Sequence, residues 1–375
     1  MNVHMERLHE LRRRLADTRL VGCALLPGAS FFYYTGIHTF VDLLTTVLFI
    51  PAEGVPGPNH PVLLLPDFEK DTIASQIPFE ADYIAYERNA SGYAVGFEKL
   101  AASCHLDGSR VGVESTVFRH REVVELNNAA PSVALESADS LLMEFRVRKS
   151  PEEVECIRRA AQLTEAALEA IAPQVIPGKT ERELSKRFQV ELLKAGADGV
   201  GFDCLVVSGP RAALQHAAPS DRQIQLGDTV LFDVGGTYRG YTADITRTFV
   251  VGRASEKIRS IYDVVREANQ AAFSVVRPGI LASDVDAASR LVIAKAGYGE
   301  TFMHGTGHGL GLEVHEPPRI APGSDVILQP GMVFTIEPGI YISGELGVRI
   351  EDDVVVTKEG VERLTGFDYE LQITP

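Results

Sequence analysis

At 375 residues, 45% hydrophobic and 23% charged, the sequence has the composition of a soluble globular protein long enough for two cores. Its 36 basic and 51 acidic side chains leave a net charge of −15, which argues against nucleic acid or an anionic membrane as a partner. No run reaches the roughly 18 apolar residues of a membrane span.

The first fifteen residues read as a charged amphipathic helix without the apolar segment of a secretion signal. The four cysteines (Cys23, Cys104, Cys156, Cys204) are scattered and lack metal-type spacing, so free thiols in a reducing cytoplasm are expected. Short apolar runs at 21–26, 45–50 and 61–65 predict buried strands. Residues 1–145 alternate such strands with helical pieces and gather no cluster of potential ligands, which makes them a scaffold domain of α/β type. A boundary is expected near Arg146-Val-Arg-Lys149. Directly after it, Ser150-Pro-Glu-Glu153 has a capping residue, a proline suited to the first turn and a capping-box glutamate. A second capping box, Thr180-Glu-Arg-Glu183, opens a helix that should stop at Gly196.

The second domain, 146–375, repeats itself. Pro177-Gly178 and Lys194-Ala-Gly196 recur as Pro278-Gly279 and Lys295-Ala-Gly297, an offset of 278 − 177 = 101 in both places. Ile157-Arg158 and Ile258-Arg259 share that offset. Further on, with a small slip, the run ending at Asp233 resembles the run ending at Glu337. Each half reads as two helices followed by a β-hairpin, and two copies suit a pseudo-twofold α/β (α+β) domain better than a solenoid.

The repeat places the charges that matter. Asp233, Asp244, Glu337 and Glu351 each sit in or at the end of an apolar β-like run. Buried carboxylates are costly unless paired or bound to metal. Folding the halves together would bring all four to the centre, and His308, within the glycine-rich Met303–Arg319 segment, would join them. That oxygen-rich set suits manganese, cobalt or iron, with zinc possible. Two such ions could share and acidify a bridging water. Residues two apart on a strand share a face, so Thr246 is expected beside Asp244 and Arg349 beside Glu351 as orienting partners. His304 and His315 lie in the same segment as His308, whereas His216 in Leu214-Gln-His-Ala-Ala-Pro carries a weaker signal. No Gly-x-Ser-x-Gly elbow or phosphate-binding loop offers a competing chemistry.

At this point the chain resembles the pita-bread metallopeptidases, which comprise prolidases, aminopeptidase P, methionine aminopeptidases and the metal-free creatinases. The motifs are Phe232-Asp-Val-Gly, Tyr241-Thr-Ala-Asp-Ile-Thr-Arg-Thr-Phe, His304-Gly-Thr-Gly-His-Gly, Val314-His-Glu-Pro, Thr335-Ile-Glu-Pro-Gly and Arg349-Ile-Glu-Asp. The resemblance implies a creatinase/prolidase-like domain at 1–145 and a pita-bread catalytic domain at 146–375. It further implies that Asp233 chelates one metal, His308 and Glu337 the other, and that Asp244 and Glu351 bridge both. Glu337 would also be the general base. His216 and His315 match residues that steady the tetrahedral intermediate, and His304 one that lines the substrate cleft. Arg319 matches a position proposed to hold the substrate's C-terminal carboxylate. Tyr341 and Arg349 match a network supporting the carboxylates and substrate. His38 lies in a segment similar to one that reaches the partner subunit's active site in a homodimer. Ala243 departs from a common serine but removes no ligand.

The expected function is that of a cytoplasmic Xaa-Pro dipeptidase with two divalent ions per subunit. The alternative is an Xaa-Pro aminopeptidase acting on longer peptides. Methionine aminopeptidases usually lack a domain like 1–145, creatinase dispenses with metals, and catalytically dead relatives typically lose ligands that are all present here.

Overall fold

A computed structural model describes residues 2–39 and 42–375. It separates into two compact units, Met1–Phe145 and Arg146–Pro375.

In the N-terminal unit the elements in chain order are α1 (Val3–Ala16), β1 (Gly22–Leu25), α2 (Ala29–Thr35), β2 (Val47–Pro51), β3 (Val62–Pro66), α3 (Lys70–Gln76), β4 (Asp82–Tyr86), α4 (Ala90–Ser103), β5 (Arg110–Val113), α5 (His120–Ala129), β6 (Ala134–Ser137) and α6 (Asp139–Arg146). The charged N-terminal helix is α1, capped by the Asn2 side chain and buried through Leu8, Leu11 and Leu15. The strands form one mixed sheet in the order β4-β3-β2-β1-β5-β6. The three apolar runs read from the sequence are its central strands β1, β2 and β3, whose residues are buried throughout, as expected of strands covered on both faces.

The second unit opens with α7 (Pro151–Ile171) and α8 (Glu181–Ala195). Both predicted capping boxes form: Ser150 and Glu153 exchange bonds at the start of α7, as do Thr180 and Glu183 at α8. Gly196 ends α8 at φ 100°, a left-handed position that favours glycine. There follow β7 (Gly199–Val200), β8 (Leu205–Ser208), β9 (Thr229–Val234), β10 (Gly236–Tyr238), β11 (Tyr241–Thr242) and β12 (Ile245–Val251). Then come α9 (Glu256–Val275), α10 (Ala282–Lys295), β13 (Gly307–Gly309), β14 (Glu316–Ile320), β15 (Val333–Ile336), β16 (Gly339–Ile342), β17 (Leu346–Arg349), β18 (Asp352–Val356), β19 (Val361–Arg363) and β20 (Gln372–Thr374).

The repeat is visible in the backbone. Helices α8 and α10 begin 282 − 181 = 101 residues apart. An isolated bridge, Thr180 to Gln223, recurs as Leu281 to Ile327. The hairpin β9/β12 corresponds to β15/β18, each antiparallel and each at the middle of its sheet. Asp233 in β9 therefore corresponds to Glu337 just past β15, and Asp244 just before β12 to Glu351 just before β18. Each sheet packs against its own helices. The first half's core joins Leu168, Leu184 and Phe188 to Phe232 and Phe249. The second half's core joins Ala272 and Val285 to Phe334, Ile336 and Val354. The halves hold more than two helices and a hairpin, because β8, β13 and β14 widen the sheets and β20 returns to lie parallel to β12.

Candidate active site

The four carboxylates meet where the two central hairpins approach each other. Asp233, Asp244, Glu337 and Glu351 line one cleft of about 980 Å³ together with His216, His304, His308, His315, Arg319 and Arg349. Close approach of the strands is set by glycine. A Cβ on Gly307 would overlap the Thr335 carbonyl, and one on Gly235 the Ala243 carbonyl, so no other residue fits beside His308 or Asp233 without parting the strands.

The partners of the carboxylates differ from the sequence expectation. Thr246 does not bond Asp244, and Arg349 does not bond Glu351. Instead Thr246 Oγ1 donates to Glu351 Oε2 at 2.5 Å, and Arg349 Nη2 donates to Asp233. The two-residue spacing does put these side chains on the right face, but they reach across to the opposite half. Asp353 completes the exchange, accepting the backbone N–H of Asp244 at 3.0 Å. Each half thus orients a metal-type carboxylate belonging to the other.

His308 Nδ1 donates to the Gly309 carbonyl at 3.1 Å, which leaves Nε2 as the nitrogen facing the acids. It stands 3.4 Å from Glu337 Oε1 and 3.8 Å from Asp244 Oδ2. Ligand atoms of Asp244, His308 and Glu351 all lie within 4.8 Å of one another. Asp244 Oδ1 is buried without a hydrogen-bond partner, an unsatisfied acceptor on a residue of this cluster. Burial, reinforced by the other acids, raises Asp244 and Glu351 well above the usual carboxylate range. Burial likewise pushes Glu337 up to about 8, with Arg349 pulling it down and Asp233 adding to the rise. Burial lowers His308. Three acids whose charged forms burial disfavours, together with Asp233, a neutral imidazole and an unsatisfied oxygen, fit divalent cations in charge and in donor type.

A second row of groups supports this centre. Tyr341 is 3% exposed and lies beneath the cleft rather than on its wall. Its hydroxyl accepts from Arg349 at 2.9 Å and donates to His304 Nε2 at 2.8 Å, while His304 Nδ1 donates to Gly305 O. Burial takes His304 down to about 4. His315 packs edge-on to His308, with ring centroids 4.3 Å apart. His216 and Arg319 are exposed on the cleft wall, and Arg319 stands beside His308 in the β13/β14 register. His38 belongs to the N-terminal unit, where it is exposed and stacks on Phe32.

Several supporting residues escaped the sequence reading. Asp353 was hidden in an acidic run. Glu181 lies in the first turn of α8, where acids are common, so nothing in the sequence marks it out. Asp286 and Arg290 form an ion pair on α10, and Asp286 accepts both the N–H and the hydroxyl of Thr306 at 3.0 Å. Arg290 also bonds the carbonyls of Phe302 and His304, so the pair fixes the loop carrying His304 and His308. Their four-residue spacing was the only available signal.

The chain matches the model of metallopeptidase family M24 over residues 155–358 and the creatinase/prolidase N-terminal domain over 7–148. It belongs to metallopeptidase family M24. The particular relatives are informative. An Xaa-Pro dipeptidase of Pyrococcus horikoshii is 41% identical over 261 residues, 70% of this chain and 74% of the relative. A prolidase from Thermococcus sibiricus superposes with a TM-score of 0.92 at 35% identity, covering both chains completely. An X-Pro aminopeptidase from Thermotoga maritima follows at 0.86 and 28%, covering 98% of this chain and 99% of that one. The protein is thus an enzyme, a metallopeptidase with a mixed α/β fold. Among the described residues no helix is long and apolar enough to cross a membrane.

Proposed function

We propose that the protein hydrolyses the Xaa-Pro bond of dipeptides. The observation that carries this reading is the convergence of five metal-type donors, three further histidines and the exposed Arg319 on one cleft. Asp233, Asp244, His308, Glu337 and Glu351 would hold two divalent ions, manganese before cobalt, iron or zinc. When bound, these ions supply Lewis acidity and an acidified water. Glu337 takes a proton from the attacking water and passes it towards the departing proline nitrogen. His216 and His315 donate hydrogen bonds to the oxyanion that develops on the scissile carbonyl. His304, held by Tyr341, shapes the cleft, and Arg349 fixes Asp233. Arg319 offers a bidentate fork for the substrate's C-terminal carboxylate.

Proline gives such an enzyme its reason to exist. The bond it forms is a tertiary amide without N–H, poorly held by peptidases that grip an extended backbone. The second reading is an Xaa-Pro aminopeptidase, favoured by the likeness to the Thermotoga maritima enzyme. Arg319 separates the two, because a carboxylate clamp measures substrate length. A homodimer, with His38 reaching the partner's site, and a cytoplasmic location belong to the same proposal.

The test compares a Leu-Pro dipeptide with a Leu-Pro-Yaa tripeptide, with manganese and with chelator. Cleavage of the dipeptide alone, abolished by chelator, is expected. A preference for the tripeptide would make the protein an aminopeptidase and remove the role given to Arg319.

A further inference from the structure

Glu181 is the first residue of α8 and has no exposed side-chain surface. No ligand role reaches it, yet its two oxygens collect an unusual set of donors. Oε1 accepts from the backbone N–H of Ser208 at 2.8 Å and from the Ser208 hydroxyl at 2.9 Å. Oε2 accepts from the Ser220 N–H at 2.9 Å, the Ser220 hydroxyl at 2.7 Å and Arg211 Nε at 3.0 Å. One carboxylate therefore pins both stems of the segment 208–220. That segment carries His216 at its far end, on the wall of the cleft.

The two sides of the segment are held differently. The incoming side, Gly209–Ala213, is a short 3₁₀ turn in which Ala212 is buried against β17 at Gly347. The returning side, from Leu214 to Pro219, has no strand or helix of its own. Its side-chain tethers are the Ser220 bonds to Glu181 and a bond from Arg211 Nη2 to the Ala218 carbonyl at 2.7 Å, and Arg211 is itself held by Glu181. The Ser220 carbonyl also accepts from the Arg182 N–H at 3.0 Å, and Ala217 packs against Val207, Ala212 and Leu231. Both side-chain ties on the His216 side run through the same carboxylate. Burial opposes ionisation of Glu181, but the Ser220, Ser208 and Arg211 donors outweigh it and hold the group below its usual value.

We propose that Glu181 is the positioning residue for His216, holding it against the substrate from beneath the cleft. The inference rests on the substrate-facing role given to His216 above. Glu181 touches no substrate, so its effect on turnover passes through that histidine.

The experiment combines E181Q, H216A and the double variant in the manganese-loaded enzyme with hydrogen exchange on the peptide spanning 212–219. Glutamine keeps the volume but presents an NH2 group to donors on one stem. E181Q should lower kcat by about tenfold, with KM and bound metal little changed. In the H216A background the same change should cost less than about twofold, because the shared route is already lost. Exchange should rise at 212–219 while the β9 and β15 peptides stay protected. S220A, which removes the hydroxyl bond to Glu181 and leaves no buried charge stranded, should show the same pattern more weakly and serves if E181Q folds poorly. Equal losses in both backgrounds would overturn the proposal, as would unchanged exchange at 212–219. If the native enzyme cleaves no Xaa-Pro peptide, the substrate reading fails, while the exchange measurement still decides whether Glu181 holds the loop.

Discussion

Glu337 shows how much one side chain is asked to do. It directly follows the buried strand β15, faces His308 and is proposed as the proton acceptor. E337Q keeps the shape and removes the base, so kcat should fall by roughly 10²–10⁴. Near-normal turnover of that variant in metal-replete buffer would sink the assignment. The same residue should govern stability once metal is stripped. Its pKa is raised from 4.5 to about 8 in the folded chain. An acid whose folded value is raised binds its proton more tightly when folded, so stability is full below about 4.5 and is lost as pH rises towards 8. Thermal melts of the chelated protein should therefore fall across that window, and E337Q should flatten the slope. A flat profile in the chelated native protein would contradict the burial argument. The carboxylates were legible in the sequence because charge inside an apolar strand is anomalous wherever it occurs. Their partners were not, since Thr246 finding Glu351, or Asp353 finding Asp244, depends on strands about a hundred residues apart.

Among the elements, helix starts were the most legible feature, because a capping box is a local exchange between residues three apart. Strand pairing was less so. The predicted hairpins acquired extra strands, and the β9-to-β12 connection broke into β10 and β11, which pair with each other. The central strands owe their closeness to single glycines. G307A would drive a methyl group into the Thr335 carbonyl. The strand pair carrying His308 and Glu337 must then part, at a cost of about 1–3 kcal/mol. Metal affinity should fall at least about tenfold with it. Urea unfolding and manganese titration of the variant would check both. Retention of native metal affinity would mean that the strands have slack the structure does not show.

For the whole catalytic unit, the repeat was visible in the sequence as spaced Pro-Gly and Lys-Ala-Gly groups, whereas the tie between the halves was not. Arg247, 1% exposed, donates to the carbonyls of Thr246, Glu351 and Phe367 and to Asp352. It joins β12 of the first half to β18 of the second and to the chain beyond it. Methionine there would fill the space but leave Asp352 without its buried cation, with the neutral donors Thr365 and Asn269 remaining. R247M should therefore cost about 3–5 kcal/mol in chemical unfolding, and a loss below about 1 kcal/mol would deny it that role. The duplication itself has a further consequence. Each half carries its own helices and core but only two of the four carboxylates, and the link between them, from β12 to α9, is a short turn at 252–255. Cut there, the catalytic unit would become two polypeptides, neither carrying the full ligand set: Asp233 and Asp244 on one, His308, Glu337 and Glu351 on the other. Their reunion would be bimolecular, and the same divalent cations that serve the reaction would act as the glue. Activity would then rise with fragment concentration and vanish on chelation, because in this architecture the active site is itself an interface.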